Sequence, residues 1–376
     1  MAVRYVRLNA VADLNAPMIR GTGNIAIVGV STAGTANTPV QVGSPSDAPG
    51  LFGPPAGSPL TAAIQLAFGQ TPGPSQVWGV PGSGDFTAAL TAVEALDVQF
   101  VTVANQGLDA MPGGGGAASA ARTAVTNLAN HVVNVSQYGS DGKERMGVAM
   151  LAKGLADITG SNVLSGTLAN ERMVYVAHKS DQDVAAAVTG AIAGWPPNTS
   201  MLLKQVSVDN TPFTYTEIDA INGTEVFTSG PAGKGVNWLV HPALIPGSGV
   251  YLGEGYTGNP AGKKYIDIVR TIDDISFKLK ARLIRYIGVA QISRSGLRAL
   301  VLQMEAELDP QVAAGVINSY SIVVPILNLL DLPPASLSDQ QLQAIHDAEA
   351  QRVIQVLITV EYAAAIHRLA ITLKFE

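Results

Sequence analysis

The sequence contains no cysteine, which excludes disulfide bonds, thiolate metal sites and a cysteine nucleophile. Charged residues make up only 14% of the chain and aromatic residues 6%. No run of about 18 consecutive apolar residues occurs, so we expect no transmembrane helix. The first residues, MAVRYVRLNA, also lack the long apolar stretch of a secretion signal.

The remaining composition predicts a soluble, globular protein. Hydrophobic residues form 47% of the 376 positions, which is ample for a core and excludes wholesale disorder. This length accommodates one large domain or two to three ordinary ones. Composition alone therefore indicates a folded protein of one to three domains and does not indicate any activity.

The formal net charge of −6 is unevenly distributed along the chain. Residues 1–262 have 11 basic and 17 acidic side chains, and residues 299–376 have three basic and nine acidic ones. Residues 263–298 reverse the balance, with nine basic and three acidic side chains. This basic island indicates either an acidic partner surface or a solvated helix face. Nucleic acid is disfavoured, because the island lacks an aromatic stacking platform and the rest of the chain is acidic.

Apolar runs alternate with helical patterns up to about residue 262. The predicted strands are 24–30, 77–80, 98–104, 146–151, 173–177, 201–206, 226–227 and 236–240. The predicted helices are 60–68, 86–96, 120–135 and 181–192, with Ser58-Pro59 and Ser180 as N-terminal capping signals. The Pro- and Gly-rich stretch 39–55 is expected to be a loop. Strands that alternate with helices predict a mostly parallel α/β sheet.

The pattern changes after Gly262. A long amphipathic helix is predicted over 265–287, with helices at 296–306 and 338–349 and strands at 320–326 and 353–360. The apolar stripe expected along the long helix comprises Ile268, Ile272, Ile275, Leu279, Leu283 and Tyr286. Lys278, Arg282 and Arg285 lie on a neighbouring face at the same spacing.

The final residues alternate between apolar and polar side chains, which predicts a strand that runs to residue 376. Its apolar members are Leu369, Ile371, Leu373 and Phe375. Such a strand either closes its own sheet or completes the sheet of a neighbouring molecule, since an unpaired apolar edge promotes aggregation. Residues 1–20 read as an exposed arm before the first core strand.

No catalytic constellation is recognisable. The five histidines have no second histidine or carboxylate at metal-ligand spacing, and neither hydrolase nor P-loop motifs occur. The loops 29–34 and 230–235 resemble phosphate loops only superficially, so turns are the better interpretation. The acidic pairs Asp181/Asp183 and Asp273/Asp274 are interpreted as helix capping and a solvated helix face. We therefore expect no enzyme activity, no cofactor and no metal.

Several segments, taken in order, resemble contractile tail sheath proteins. Residues 24–53 (NIAIVGVSTAGTANTPVQVGSPSDAPGLFG) are similar to the family's opening strand and turn, and QVWGV at 76–80 to its next strand. EIDAINGTEVF at 217–227 is similar to a stretch that ends in GIN in the family. KKYIDIVRTIDDISFKLKARLIRYI at 263–287 resembles the helix that opens the C-terminal sheath domain, and 308–326 resembles the next element.

The resemblance implies a fold and a domain plan. It implies a mostly parallel α/β core domain (21–262) and an α+β C-terminal domain that faces an inner tube (263–352). It also implies an N-terminal linker arm (1–20) and a C-terminal arm (353–376) that donate strands to neighbouring subunits. The strand-exchange residues would be Val3 and Tyr5 in one arm and Leu369, Ile371, Leu373 and Phe375 in the other. The tube-facing basic residues would be Arg270, Lys278, Arg282 and Arg285.

The implied function is that of a structural subunit in the contractile tail of a bacteriophage virion or a related injection machine. Its partners would be copies of itself in hexameric rings and a helical polymer, an inner tail tube protein, and baseplate and tail terminator proteins. Assembly would occur in the host cytoplasm and contraction would serve genome ejection, with no direct nucleic-acid contact and no membrane insertion. The alternatives are another self-assembling shell protein and an α/β hydrolase-type enzyme.

Overall fold

The computed structural model describes residues 20–109, 119–137, 142–158, 163–226, 229–247 and 249–368. The chain divides into two compact units. We call Gly21–Asp274 with Ala364–Glu376 the large unit, and Met1–Arg20 with Ile275–Ala363 the small unit. The division falls inside a helix, whereas the predicted domain boundary lies between residues 262 and 263.

The large unit is built on one twisted sheet. The strands among its described residues are β1 (Asn24–Gly29), β2 (Val40–Val42), β3 (Gln76–Pro81), β4 (Phe100–Leu108), β5 (Met146–Leu151), β6 (Met173–Ala177), β7 (Asn237–Val240) and β8 (Tyr251–Leu252). Their order is β2-β3-β1-β4-β5-β6-β7-β8. The six inner strands run parallel, and β2 and β8 lie antiparallel at the two edges.

Helices cover both faces of this sheet. They are α1 (Ala48–Phe52), α2 (Pro59–Phe68), α3 (Thr87–Val93), α4 (Ala120–Gln137), α5 (Val184–Gly194) and α6 (Tyr215–Asn222), followed by α7 (Ile266–Leu283), which continues into the small unit. Successive residues of β1 point to opposite layers. Ile25 and Ile27 pack with α2 and α5, and Ala26 and Val28 pack with α3 and α4.

Two helices of the large unit cross at unusually short range. A methyl group added to Gly190 in α5 would lie 2.3 Å from the carbonyl oxygen of Ala67 in α2. A side chain at this position would collide with backbone, which cannot move aside as a flexible side chain can. Glycine at 190 therefore lets the two helices pack closely over the sheet.

The small unit combines helices with a short antiparallel sheet. After α7 its elements are α8 (Arg294–Ala313), β9 (Ile317–Val323), α9 (Pro325–Leu330), α10 (Asp339–Gln351) and β10 (Leu357–Tyr362). β9 and β10 pair with each other, with Ile358 opposite Ile322. Ile275, Leu308 and Ile317 form its buried core.

The structure confirms the predicted fold class and most elements of the large unit. The predicted strands 146–151 and 173–177 have the observed bounds of β5 and β6. The predicted N-terminal signal of α2 is also confirmed: the Ser58 hydroxyl accepts a hydrogen bond of 3.2 Å from the Thr61 N–H, and Pro59 is the first helical residue.

Other local predictions were wrong. The stretch 39–55 contains β2 and the short helix α1, because Pro49 stands in the first helical turn, where a missing N–H costs nothing. Residues 201–206 do not form a strand, since Leu203 adopts a left-handed φ of 55° and only Gln205 makes an isolated bridge. Val226 also lies outside any described strand.

The expected cap of α5 lies three residues further along the chain. Asp183 accepts the N–H of Ala186 at 3.0 Å, and the hydroxyl of Ser180 instead accepts the N–H of Gln182. Burial raises the pKa of Asp183, and the backbone N–H groups of Ala186 and Asn105 oppose this rise. The acidic residue rather than the serine therefore begins the helix.

The apolar stripe predicted along the long helix was only partly right. Ile266 and Val269 are buried in the core of the large unit, whereas Ile272 is exposed. Ile275 and Leu279 then pack in the core of the small unit. The buried face changes along α7 because its two halves pack on two different cores.

Two strand boundaries of the small unit also differ from the prediction. The strand expected at 320–326 is β9, which ends at Val323 because Pro325 opens α9. The strand expected at 353–360 is β10, which begins later because α10 extends to Gln351.

Candidate assembly surfaces

The described histidines and acidic residues do not assemble into a metal site or a catalytic set. Within the ranges that the structure describes, no group of three or more His, Cys, Asp or Glu side chains could hold a metal ion. The Nε2 atom of His178 lies 2.9 Å from the Leu151 carbonyl oxygen, and its Nδ1 accepts the Ser180 N–H. Burial lowers the pKa of His178, so it is a neutral structural residue near neutral pH.

A cleft of about 660 Å³ lies at the carboxyl ends of the parallel strands, where α/β proteins often bind ligands. Asn105, Asp181, Asp183 and Ser207 are among the residues that line it. Both carboxylate oxygens of Asp183 already accept backbone N–H groups, and Asp181 pairs with Lys153. The cleft therefore presents no nucleophile with an adjacent base.

The structure buries Arg270, one of the four predicted tube-facing residues. Its guanidinium lies over the ring of Phe100, with 5.2 Å from Cζ to the ring centroid. It donates hydrogen bonds to the backbone carbonyls of Thr22, Trp195 and Pro196. Burial lowers the pKa of Arg270 to about 10. Arg270 therefore ties loops of the large unit together and is buried in the single chain, and its predicted place facing the tube stays a prediction.

Arg282, in the part of α7 that belongs to the small unit, forms an ion pair within that unit. Its Nε lies 2.9 Å from Glu307 Oε2, and its Nη1 lies 3.1 Å from Gln303 Oε1. These contacts hold α7 against α8. The carboxylate of Glu307 therefore neutralises the positive charge of Arg282, which the sequence pattern predicted for the basic face of the helix.

The other two basic residues differ in exposure. Arg285 is exposed, and Lys278 is half-buried. The turn after them carries three exposed apolar side chains, with exposed fractions of 66% at Ile284, 76% at Ile287 and 75% at Val289. The exposure of these three side chains was not predicted from the sequence, because the amphipathic pattern of the helix continues through this turn.

The two-stranded sheet of the small unit has an open face. Ile322 and Ile358 pack on the core, whereas Val323 and Leu357 are exposed on the opposite side. Among the described residues, neither β9 nor β10 pairs with a further strand. Within its described residues, the small unit therefore presents strand edges with no neighbouring strand and exposed apolar side chains.

The remaining predicted assembly residues lie outside the described part of the chain. They are Val3 and Tyr5 near one end, and Leu369, Ile371, Leu373 and Phe375 near the other. The predicted strand exchange therefore stays a prediction. Among the described helices, none combines the length and the apolar content required to cross a membrane.

No sequence family and no curated protein matches the chain. Solved structures do match its fold. A chain in the 6-fold symmetrised cryo-EM structure of the anti-feeding prophage (AFP) baseplate matches with a TM-score of 0.64 at 13% identity, over 100% of this chain and 99% of that chain. The AFP helical sheath in its contracted state matches with a TM-score of 0.63 at 14% identity, over 100% and 99%.

A crystal structure of a sheath tail protein extends the comparison. The sheath tail protein from Listeria innocua matches with a TM-score of 0.54 at 11% identity, over 93% of this chain and 97% of that chain. These three structures are not enzymes but parts of contractile sheath systems or sheath tail proteins. The chain has the fold of contractile sheath proteins over its whole length.

Proposed function

We propose that this chain is the structural subunit of a contractile sheath, which polymerises as stacked hexameric rings around an inner tube. The observation that carries the proposal is the match of fold across the full length of both chains, which includes the large unit, the small unit and their order in the sequence. At this level of identity the match establishes the fold, and function is the further step. We assign the assembly to the tail of a virion or to a phage-like injection machine, built in the host cytoplasm.

The open sheet of the small unit supports polymerisation. A two-stranded sheet is marginal by itself, and strand addition satisfies its free backbone groups. We propose that Val3 and Tyr5 of one copy and Leu369, Ile371, Leu373 and Phe375 of another supply those strands. Main-chain hydrogen bonds between strands tolerate rigid-body rotation of the subunits, so rings stay linked while they move.

Contraction in this scheme requires no cofactor. The extended lattice is metastable, and the contracted lattice buries more surface between subunits. The difference in free energy is stored during assembly and released when the baseplate triggers the first ring. The subunit is therefore a mechanical element that drives the tube through the envelope of the target cell.

We propose that Lys278 and Arg285 face the inner tube, whose outer surface we expect to be acidic. Exposed ion pairs contribute about 0–1 kcal/mol each, which is enough to hold a sheath on its tube through many copies and yet allows release. Arg282 contributes less to this surface, since Glu307 already pairs with it.

Electron microscopy of the purified protein tests the main proposal. We expect negatively stained tubes or rings at high protein concentration, with or without the tube protein. A protein that stays monomeric under all assembly conditions contradicts the proposal. Polymers that form without any affinity for a tube protein would instead favour another kind of self-assembling shell.

A truncation tests strand exchange. Because β10 pairs with β9 inside the small unit, removal of the whole arm 353–376 would damage that unit. Removal of residues 369–376 alone leaves β10 in place, and we expect a folded monomer that no longer polymerises. Normal polymerisation of this truncated chain would contradict the role of the terminal strand.

Charge reversal tests the tube-facing surface. We expect the double variant Lys278→Glu, Arg285→Glu to co-sediment less with assembled tubes, and the loss to be greatest at low salt. The matched control is Lys153→Glu, Lys263→Glu, which changes the net charge equally within the large unit. Equal tube binding by the two double variants would remove this surface from the proposal.

A further inference from the structure

The large unit holds a buried carboxylate whose two ion-pair partners come from the distant C-terminal segment. The side chain of Glu254 is 1% exposed. Its Oε1 lies 2.8 Å from Arg368 Nη1, and its Oε2 lies 3.0 Å from His367 Nδ1. Burial would raise the pKa of Glu254, but the hydrogen bond from His367 and the charge of Arg368 outweigh burial and hold that pKa below its usual value.

Three further groups of the large unit complete a recess for these two side chains. The Nε2 of His367 lies 2.9 Å from the hydroxyl of Ser200, and its ring meets Tyr265 edge to face, with centroids 4.8 Å apart. Arg368 Nε lies 3.0 Å from the Glu225 carboxylate. Each nitrogen of the imidazole and two edges of the guanidinium therefore have a partner on the large unit.

The segment is held by these side chains and not by its backbone. Among the described residues, no backbone hydrogen bond joins 364–368 to another part of the chain, and none of these residues belongs to a strand. Ile366, directly before the pair, is 77% exposed. Within the described residues 364–368, His367 and Arg368 therefore provide the attachment.

The chemistry makes this attachment strong and dependent on both partners. A carboxylate removed from water is costly unless it is paired and hydrogen-bonded, and both ion-pair partners of Glu254 come from the segment. Departure of the segment would leave a buried carboxylate without its two ion-pair partners. The recess consequently favours the occupied state.

We propose that Glu254, Ser200, Tyr265 and Glu225 form a docking site for residues 366–368, and that docking fixes the point from which residues 369–376 extend toward a second copy. The second part rests on the proposed sheath function. A tether anchored at Arg368 searches a smaller volume than one anchored only at β10, so its effective concentration near the neighbouring sheet is higher. The docking site is thus an assembly device on the large unit, separate from the open sheet of the small unit.

Trypsin cleavage after Arg368 tests docking in the unassembled protein. The protease must take the arginine side chain into its own pocket, so cleavage requires release from Glu254. We expect Glu254→Gln to release the peptide 369–376 at least about tenfold faster than the wild type, as measured by mass spectrometry. Glu225→Gln, which removes the more exposed carboxylate, should accelerate release less. Glu171→Gln, a glutamate of the large unit outside the site, should leave the rate unchanged.

A second variant guards against misfolding of Glu254→Gln. His367→Ala alters one half-buried side chain of an otherwise exposed segment, retains Arg368 for cleavage and should also accelerate release. Wild-type cleavage rates in both Glu254→Gln and His367→Ala would overturn the docking site.

The assembly role has its own measurement, the critical concentration for polymerisation by sedimentation. We expect Glu254→Gln to raise this concentration several-fold. Faster cleavage with an unchanged critical concentration would overturn the role in assembly and support the docking site alone. A wild-type protein that never polymerises would contradict the sheath function, while the cleavage test would still decide whether the segment docks.

Discussion

The large and small units differ in how far their strands bury apolar side chains. In the large unit every residue of β1, β5 and β6 is buried, and helices cover both faces of the sheet. In the small unit most residues of β9 and β10 are exposed or half-buried, and three apolar side chains project from the turn after α7. The sheet of the large unit is therefore covered on both faces, as in an ordinary globular α/β domain. The described part of the small unit exposes apolar side chains and strand edges, and we expect assembly contacts there.

The sharpest test of this contrast is a pair of identical substitutions. Leu60 in α2 has no exposed surface, and Leu357 in β10 is 62% exposed. We expect Leu60→Ala to lower the free energy of unfolding by about 2–5 kcal/mol, because it removes buried contacts and leaves a cavity. Leu357→Ala should change it by less than about 0.5 kcal/mol and instead raise the critical concentration for assembly. Urea denaturation of the unassembled protein and sedimentation measure the two effects; similar unfolding losses would erase the contrast.

Close helix packing in the large unit gives a second test. We expect Gly190→Ala to destabilise the protein by about 1–3 kcal/mol, since the new methyl group would collide with the backbone of Ala67. Gly50→Ala is the control, because Gly50 is exposed and a methyl group there would meet nothing within 4 Å. Thermal unfolding of both variants measures the difference. Equal melting temperatures would show that α2 and α5 can move apart.

Acid sensitivity should also originate in the large unit. Burial, and then the nearby charge of Arg145, lower the pKa of His131 to about 3 from 6.5. The unfolded chain therefore binds a proton that the folded chain does not as the pH falls from 6.5 to 3, and stability falls with it. We expect a loss of about 2 kcal/mol at pH 5 relative to pH 8, at about 1.4 kcal/mol per pH unit below 6.5.

The control for this effect is a side chain that does not titrate. His131→Gln should unfold with a smaller difference between pH 8 and pH 5, as measured by urea denaturation at the two pH values. The same loss in the variant as in the wild type would assign the acid sensitivity to other groups.

The sequence predicted the large unit far better than the surfaces of the small one. Strands such as β5 and β6 are buried on both faces, so their apolar runs are continuous and easily recognised. Residues 201–206 have the same appearance, but tertiary contacts place Leu203 in a left-handed conformation and no strand forms. Local patterns identify an element only when its surroundings agree with them.

The charged residues were the least predictable. Helical spacing placed Lys278, Arg282 and Arg285 on one face and the family resemblance added Arg270, yet Arg270 is buried against backbone carbonyls and Arg282 is paired with Glu307. Glu254 and its partners gave no signal, because they are separated by more than one hundred positions in the sequence. Residue spacing in the sequence predicts which side chains share a helix face. Only the structure shows which of these faces is exposed to solvent.

The short edge strands of the large sheet limit aggregation by strand addition at high protein concentration. β2 has three residues and pairs antiparallel with β3; β8 has two, pairs antiparallel with β7 and is bridged on its other side by Gln205. A strand of another molecule that added to either edge could form only a few backbone hydrogen bonds, because the edge strands are short. The large sheet therefore offers few backbone groups for amyloid-like pairing, and the longest open strand edges in the described chain are those of β9 and β10. If the chain polymerises as proposed, its short edge strands limit strand addition to the large unit and leave β9 and β10 as the main sites for it.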